Sequence, residues 1–268
     1  ALFDIGDFEA PGPDGLHAAF YKRFWVVLEE DLVKEVLEAV NTAVIPEGWN
    51  DTVIVLIPQV DKPEKLSRFR PISLCNVVYK VISKMLAKRL KGILPEVIGE
   101  AQSAFVPGRL ITDNVLVAYE SVHRIKRKKG NHGLCAVKLD MHKAYDRVEW
   151  CFLEGIMLRM GFDVRWVELM MACVKSVTYS VRFNSQITER FIPSWGLRQG
   201  DPLSPYLFLL VAEGLSALLS DAEERGATEG VKVCRDAPSV SHLLFADDSL
   251  ILMKADVANA NTLKGILQ

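Results

Sequence analysis

Two adjacent aspartates, Asp247 and Asp248, lie between two short apolar runs near the end of the chain. Apolar runs on both sides of an acidic turn are typical of a β-hairpin that carries the acidic side chains at its tip. Neighbouring carboxylates repel each other, and a bound cation removes that repulsion. Asp also favours turns because its side chain can hydrogen-bond to the nearby backbone. The pattern therefore predicts a hairpin, and the rest of the chain must decide between a cation site and an ordinary turn.

The length and composition are those of an ordinary globular protein. The 268 residues are enough for one large domain or two smaller ones, and 50% of them are apolar. We find neither a signal-peptide pattern nor an apolar run of membrane-spanning length, so we expect an intracellular protein with no membrane partner. The five cysteines are widely spaced, which favours reduced thiols over zinc ligation. Because the chain begins without Met and ends inside a helical pattern, we expect it to be part of a longer protein.

Charge is distributed unevenly along the chain, although the net charge is only −2. Residues 1–60 contain eleven Asp and Glu but three Lys and Arg, whereas residues 62–91 contain nine Lys and Arg and one acid. A second basic run, residues 124–129, has five cations in six positions. Such segregation is typical of a surface that binds phosphates. For the 124–129 run, a solvated helix face explains the pattern equally well.

Hydrophobic periodicity predicts a mixture of helices and strands. A β-branched run predicts a strand over 52–57, and a second strand over 135–140 would put Asp140 on the face opposite Leu139. Helices are predicted to begin near residues 112 and 256, to cover 150–160 and 163–175, and to extend from a turn at 196–205 to about 220. A further helix over 78–90 turns most of its lysines away from its apolar face.

Five blocks of the sequence resemble those of one enzyme family. Residues 139–146, Leu-Asp-Met-His-Lys-Ala-Tyr-Asp, resemble the first acidic motif of reverse transcriptases. Residues 196–205 resemble their Arg-Gln-Gly-Asp-Pro-Leu-Ser block, and Phe-Ala-Asp-Asp at 245–248 resembles their Asp-Asp box. Residues 68–73 and 101–109 are similar to blocks of non-LTR elements. Because the five blocks occur in family order, the chain resembles the reverse transcriptase domain of a plant LINE-type (non-LTR) retrotransposon.

The resemblance implies RNA-directed DNA polymerase activity, in which the 3′-oxygen of a primer attacks the α-phosphate of a dNTP. Two Mg²⁺ ions, or Mn²⁺ in their place, would stabilise the attacking and leaving oxygens, and Mg²⁺ prefers oxygen ligands. We expect Asp140 and Asp247 to bridge the metal ions from one shared cavity, with Asp248 as a weaker third ligand. The backbone carbonyl of Met141 would also face a metal ion.

Met141 and four further residues are implied to contact the incoming dNTP. Lys62 and Arg70 would meet its triphosphate, with plain surface charge as the alternative for both. Gln199 would hydrogen-bond the nucleotide. Tyr145 occupies the position of an aromatic gate that crowds a ribose 2′-hydroxyl, with a core aromatic as the alternative.

The implied fold is α+β, with the fingers and palm of a right-hand polymerase and a ferredoxin-like antiparallel palm sheet backed by helices. Residues 1–132 would form an N-terminal extension and the fingers, and residues 133–268 would form the palm, with the strand 52–57 packing near it. The thumb is expected to be absent. By itself the chain should therefore be a weak or inactive polymerase.

The implied partners are an RNA template, a DNA primer or nicked target DNA, dNTPs, and the rest of a retroelement polyprotein that supplies an endonuclease and a thumb in cis. The nucleus is the expected location of the parent element, with a cytoplasmic ribonucleoprotein as the alternative. A maturase-like splicing cofactor stays open, but it should carry an extra basic domain. A non-catalytic nucleic-acid-binding module should have lost the three aspartates, and a decayed genomic remnant should show substituted motifs.

Overall fold

The structure, a computed structural model, describes residues 1–129 and 133–268. The helices of these residues are α1 (Ala18–Arg23), α2 (Trp25–Thr42), α3 (Val77–Val97), α4 (Ile111–Arg127), α5 (Trp150–Arg159), α6 (Val164–Lys175), α7 (Ser204–Glu224) and α8 (Val257–Ile266). The strands are β1 (Asp51–Pro58), β2 (Phe69–Cys75), β3 (Gly133–Asp140), β4 (Thr178–Phe183), β5 (Gln186–Ile187), β6 (Val231–Lys232), β7 (Ser239–Val240), β8 (His242–Phe245) and β9 (Asp248–Ala255). The predicted α+β class is confirmed.

The strands form three sheets. The first has the order β2-β1-β4-β5, in which β1 runs antiparallel to β2 and parallel to β4. The second has the order β3-β9-β8 and is antiparallel throughout, and β6 pairs with β7 in a third. The predicted strand 52–57 is therefore found as β1, and its parallel partner β4 comes from the second half of the chain.

The chain divides into two compact units, each built from two separate segments. Residues 1–90 and 145–207 form the first unit, and residues 91–144 and 208–268 form the second. The unit boundaries therefore differ from the division into 1–132 and 133–268, which stays a prediction about fingers and palm. Residues 130–132, at the predicted boundary, lie outside the described part of the chain.

In the first unit the side chain of Arg198 is buried, and the residue is 5% exposed. Its Nη2 donates to Asp201 Oδ2 over 2.6 Å, and its guanidinium carbon lies 4.2 Å from the centre of the Tyr79 ring. Nη1 donates to Asn50 Oδ1, and Nη2 also donates to the Cys173 carbonyl over 3.4 Å. Burial alone would lower the pKa of Arg198, but its interactions with Tyr79 and Asp201 raise it above the usual value. The guanidinium therefore stays charged and ties the 196–203 loop to several elements of this unit.

In the second unit the sheet β3-β9-β8 is covered on one face by helices. Leu219 of α7 and Leu263 of α8 pack with Ile251 and Met253 of β9 in one buried cluster. The β3 side chains that join this cluster are Cys135, Val137 and Leu139. Asp140 and the alternate residues before it are exposed, so the two faces predicted for this strand are confirmed.

Helix α7 is long and apolar enough to cross a membrane by length and composition, which the sequence analysis did not anticipate. It has 21 residues, a mean hydropathy of 1.3 in its most apolar window, and 44% of that window is buried inside the protein. The core helix of a water-soluble protein meets the same criteria. Because Leu215 and Leu219 pack under the sheet, α7 has a packing role that accounts for its apolar sequence.

We expect Asp201→Asn to lower the free energy of unfolding by about 3–5 kcal/mol, because it leaves the buried Arg198 charge without its partner. Asp221→Asn is the matched control, since Asp221 pairs with Arg225 on an exposed helix surface and should cost less than about 1 kcal/mol. Urea unfolding of both variants measures the difference. Similar small losses for the two variants would contradict a structural role for the buried pair.

Candidate active site

Asp140 belongs to the last residue pair of a β-ladder, and this pairing fixes the position of its carboxylate. Strand β3 ends at Asp140, which lies directly opposite Asp248, the first residue of β9. Residues that face each other across an antiparallel pair project to the same side of the sheet, with Cβ atoms roughly 4.5–5.5 Å apart. Because Leu139 and its alternate neighbours face the helices, Asp140 and Asp248 share the opposite, exposed face.

The third carboxylate, Asp247, lies in the turn of the predicted hairpin. Phe245 pairs with Asp248, so that Ala246 and Asp247 are the two turn residues. Ala246 has a φ of 53°. Asp247, the other turn residue, is not among the described residues with positive φ. Positive φ at a central position is typical of the turns that close two-residue hairpins. For Ala this backbone conformation costs roughly 1–2 kcal/mol, so the turn is strained.

Lys138 is the cation that compensates these acids in the structure. Its Nζ lies 3.0 Å from Asp248 Oδ1, and both side chains are more than half exposed. The hydrogen bond to Asp248 and the charge of that carboxylate, with a smaller effect of Asp140, raise the pKa of Lys138. Like charges directly opposite each other in a sheet are destabilising, so Lys138 offsets part of the repulsion between Asp140 and Asp248.

The oxygen donors at this end of the β3–β9 ladder are ligands of the type that a hard divalent cation binds. Carboxylate and carbonyl oxygens are the ligands of Mg²⁺, and Asp140, Asp247 and Asp248 supply the carboxylates. The Met141 carbonyl accepts a hydrogen bond from Ala144 N over 3.1 Å, and its second lone pair is available to a ligand. Across residues 1–129 and 133–268, however, no three His, Cys, Asp or Glu side chains are grouped closely enough to hold a metal ion. The donors therefore fit a metal ion in kind, whereas a complete ligand cluster is not assembled, and the convergence of Asp140 with Asp247 stays a prediction.

Four of the five residues predicted to contact the dNTP belong to the first unit, and Met141 belongs to the second. Lys62 lies in the turn between β1 and β2 with a φ of 51°, and its side chain is exposed. Arg70 is exposed on β2, opposite Ile57 of β1. Both cations are therefore accessible on one hairpin.

Gln199 is held against the same hairpin through its backbone. Its carbonyl oxygen accepts a hydrogen bond from Ser73 N of β2 over 2.8 Å. The next residue, Gly200, has a φ of 109°, and a Cβ there would come within 2.9 Å of Ser73 O. Glycine is thus required for the loop to approach the open edge of β2.

Tyr145 is connected to the loop that carries Gln199. Its carbonyl accepts a hydrogen bond from Leu197 N over 2.8 Å, and its side chain is half-buried. Trp150 Nε1 donates to the Gly196 carbonyl over 2.8 Å, which fixes the start of the same loop. Tyr145 and the loop that carries Gln199 are therefore hydrogen-bonded to each other in the first unit. The candidate metal ligands lie in the second unit.

The basic segment 62–91 is less available to phosphates than its composition indicates. Lys80 is buried and donates to the Ala10 carbonyl over 2.8 Å, and Lys84 donates to the Asp4 carbonyl over 2.6 Å. Lys88 forms an ion pair of 2.5 Å with Asp4 Oδ2. These three lysines therefore contact the acidic start of the chain, Lys84 through a backbone carbonyl, and the prediction that the segment binds phosphates stays a prediction.

The 124–129 run differs from these lysines. Its five cations are exposed, and within the described residues we find no ion pair at any of them. On the same helix, Tyr119 and His123 stack at an interplanar angle of 9° with ring centres 6.3 Å apart. The run therefore stays a candidate phosphate-binding surface.

Sequence analysis missed two residues that support the candidate site. Arg198 adjoins Gln199 and pairs with Asp201 three residues later. An isolated pair of opposite charges directly before an apolar helix is a signal that could have indicated a buried ion pair. Gln102 lies in the block 101–109, and its side chain accepts a hydrogen bond from Ala246 N over 3.0 Å. Nothing local in the sequence indicates that second contact, because the two residues are 144 positions apart.

Comparison with known proteins places these features in a family. The family described as reverse transcriptase (RNA-dependent DNA polymerase) matches residues 60–268. The transposon TX1 uncharacterized 149 kDa protein of Xenopus laevis is 33% identical over 251 residues, covering 94% of this chain and 19% of that protein. A retrovirus-related Pol polyprotein from the type-1 retrotransposable element R2 of Popillia japonica is 29% identical, covering 95% of this chain and 34% of that protein. The chain thus spans about a fifth and a third of the length of these two relatives.

A solved structure supports the fold. The apo telomerase of Candida tropicalis, truncated from its C-terminal domain, aligns with a TM-score of 0.55 at 14% identity, covering 84% of this chain and 47% of that one. This similarity concerns the fold alone. The plant origin of the element stays a prediction, since the two relatives come from a frog and a beetle. The family match covers most of the chain and includes all three acidic positions, so the chain belongs to the reverse transcriptase family, and its resemblance to the reverse transcriptase domains of LINE-type retrotransposons is confirmed.

Proposed function

We propose that this chain is the polymerase part of a LINE-type retrotransposon protein and that it copies RNA into DNA by adding dNTPs to a primer 3′-hydroxyl. The observation that carries the proposal is the register of the second sheet in a chain of this family. It sets Asp140 opposite Asp248 on an exposed face and leaves Asp247 in the adjoining turn. Acidic side chains from two segments that are distant in sequence thus lie together at one end of the β3–β9 ladder.

Two divalent ions, Mg²⁺ with Mn²⁺ as the alternative, would be held by Asp140, Asp247, Asp248 and the Met141 carbonyl. When bound, they supply positive charge to the attacking and leaving oxygens of the phosphoryl transfer. The role of the chain is to hold the carboxylates at fixed positions before the substrate arrives. The ladder does this for Asp140 and Asp248, and the strained turn does it for Asp247.

The first unit would bind the nucleotide. Lys62 and Arg70 are exposed cations on the β1–β2 hairpin, suited to the triphosphate. The Gln199 loop lies along the edge of β2 and would place the amide near the nucleotide. Tyr145, on the same support, would exclude a 2′-hydroxyl by steric contact. Orientation by several weak contacts of this kind accelerates a reaction that depends on proximity.

We assign the sheet β3-β9-β8 with α7 and α8 to the palm and the β1–β2 hairpin to the fingers. The RNA template would contact the exposed 124–129 run, where cations can neutralise phosphates without first breaking internal ion pairs. A DNA primer or nicked target DNA would complete the substrate. Since this chain spans only 19% and 34% of the two relatives, we propose that a thumb and an endonuclease are supplied in cis. The nucleus is the proposed location of the parent element, with a cytoplasmic ribonucleoprotein as the alternative.

We expect Asp247→Asn to lower primer extension on an RNA template by at least roughly a hundredfold, because it removes a metal-binding charge worth several kcal/mol in the transition state. Template binding, measured by fluorescence anisotropy, should be unchanged. Extension is measured with Mg²⁺ in a protein that carries this chain together with a thumb. Asp236→Asn is the control, since Asp236 is an exposed acid of the same unit outside the site. Full activity of Asp247→Asn would contradict the proposed function.

Replacing Tyr145 with Ala should raise the incorporation of rNTPs relative to dNTPs by at least roughly tenfold, because the clash with the 2′-hydroxyl is removed. The ratio of kcat/KM values for the two nucleotide types measures the change. Tyr119→Ala, which removes an exposed tyrosine of the second unit, should leave the ratio unchanged. An unchanged ratio in Tyr145→Ala would contradict the gate role and would indicate that Tyr145 is a core aromatic.

We expect Lys138→Met to lower the melting temperature of the metal-free chain and to enlarge the rise that Mg²⁺ produces, because the internal cation no longer offsets the carboxylates. Lys254→Met, which removes an ion pair with Glu229 at the other end of the sheet, should not change the Mg²⁺ response.

The effect of Lys138 also has an expected pH dependence. Since the pKa of Lys138 is raised, its stabilisation should be fully present below the ordinary lysine pKa and lost as the pH rises through the raised value. The pH dependence is measured by thermal unfolding of the wild-type chain and both variants without Mg²⁺ across this range, and the Mg²⁺ response is measured at neutral pH. An equal Mg²⁺ response in the two variants would contradict the role given to Lys138.

A further inference from the structure

The outer edge of β8 is covered by an irregular segment, residues 98–104, that precedes α4. Leu244 N donates to the Ala101 carbonyl over 2.8 Å, and Ser103 N donates to the Leu244 carbonyl over 3.2 Å. Gln102 and Leu244 thereby form an isolated parallel β-bridge. Since β8 is an edge strand in the order β3-β9-β8, this segment supplies hydrogen bonds that the sheet itself lacks.

The covering segment is itself anchored by two polar side chains. The Arg109 guanidinium donates to the carbonyls of Ile98 and Gln102 over 2.7 and 2.8 Å. Asn114 Nδ2, from the first turn of α4, donates to the carbonyls of Ala101 and Leu244 over 3.1 and 2.9 Å. Arg109 therefore links two carbonyls within the segment, and Asn114 links the segment to the hairpin strand.

The side chain of Gln102 reaches beyond the strand to the turn. Gln102 is 1% exposed, and its Oε1 accepts hydrogen bonds from Ala104 N and Ala246 N, each over 3.0 Å. Its Nε2 is buried and has no hydrogen-bond partner among the described residues. The opposite orientation of the amide would set an NH₂ group against two N–H donors, so the oxygen must face the backbone. A buried amide that leaves its own donor unpaired indicates that the acceptor is the functional end of this side chain.

The hydrogen bond from Ala246 matters because Ala246 directly precedes Asp247 in the turn. Ala246 is the turn residue with positive φ, so its conformation sets the direction in which the chain enters Asp247. A strained backbone conformation persists only where the surrounding structure determines it. Without the Gln102 oxygen, the Ala246 N–H would lose a buried partner and the turn could relax to other conformations.

We propose that Gln102 is a positioning residue of the polymerase site, which fixes the Ala246 conformation and thereby the direction of the Asp247 carboxylate. The inference rests on the proposed function for its catalytic consequence. Gln102 is 1% exposed and contacts the turn, so its effect should appear in metal binding and kcat. The KM for dNTP, set by residues of the first unit, should not change.

The direct test compares three variants of the whole chain. Gln102→Leu keeps the approximate size and removes the acceptor. Asn114→Leu removes one hydrogen bond to Leu244 of β8 and one to Ala101 of the covering segment, and none to the turn. Ser103→Ala removes a buried hydroxyl that has no partner among the described residues. Urea unfolding gives the stability of each variant.

Amide hydrogen exchange at Ala246, followed by NMR, is the first readout. We expect the Ala246 N–H to be protected in the wild-type chain and in Ser103→Ala and Asn114→Leu, and to exchange at least tenfold faster in Gln102→Leu. Should Gln102→Leu fail to fold, the wild-type exchange rate still decides, because an unprotected Ala246 amide overturns the proposal.

Mn²⁺ binding, followed by electron paramagnetic resonance, is the second readout. Gln102→Leu should weaken Mn²⁺ at least tenfold, whereas Asn114→Leu should lose stability without this change. In a protein with a thumb, kcat should fall with KM for dNTP unchanged. Parallel losses in Gln102→Leu and Asn114→Leu, or unchanged Mn²⁺ binding in the former, would overturn the positioning role. Absence of Mn²⁺ binding by the wild-type chain would instead count against the proposed function.

Discussion

The pairing of Asp140 with Asp248 is the constraint on which the candidate site depends. A β-ladder fixes which residues face each other, and a slip of one residue would send every side chain of β3 to the other face. The register is kept by the apolar side: Val137 and Leu139 must remain over α7 and α8. The hydrophobic core therefore holds two like charges opposite each other on the exposed side, although their mutual repulsion disfavours this arrangement. Lys138 offsets part of the cost in the absence of a metal ion.

Each half of the proposed chemistry has its own buried polar support. In the second unit, the carbonyl and amide groups around Gln102 and Asn114 complete the edge of the Asp247 hairpin. In the first unit, the Arg198–Asp201 pair fixes the loop that carries Gln199. Polar groups of this kind are unfavourable inside a protein unless each finds a partner, so they specify one loop conformation among many. Gln102 and the Arg198–Asp201 pair lie in segments that are otherwise without regular structure.

Local patterns in the sequence predicted the features that depend on local physics. The alternation of β3, the hairpin around Asp247 and the starts of α4 and α8 were all predictable from periodicity and turn residues. The N-cap of α8 is an example, because Asp256 accepts a hydrogen bond from Asn259 N. The parallel pairing of β1 with β4 was not predictable, since it joins segments more than 120 residues apart. The contacts of Lys80, Lys84 and Lys88 with the start of the chain were missed for the same reason, and a charge count treated them as an open surface. Sequence separation, more than residue type, limited the prediction.

The central claim is that the end of β3 and the turn before β9 form one metal site. Iron-mediated cleavage tests it directly: Fe²⁺ bound in place of Mg²⁺, with ascorbate and peroxide, generates radicals that cut the backbone next to the ion. The account predicts two sets of cuts, one around Asp140 and one around Asp247, both suppressed by excess Mg²⁺. Cuts confined to other parts of the chain, or cuts at only one of the two segments, would contradict it.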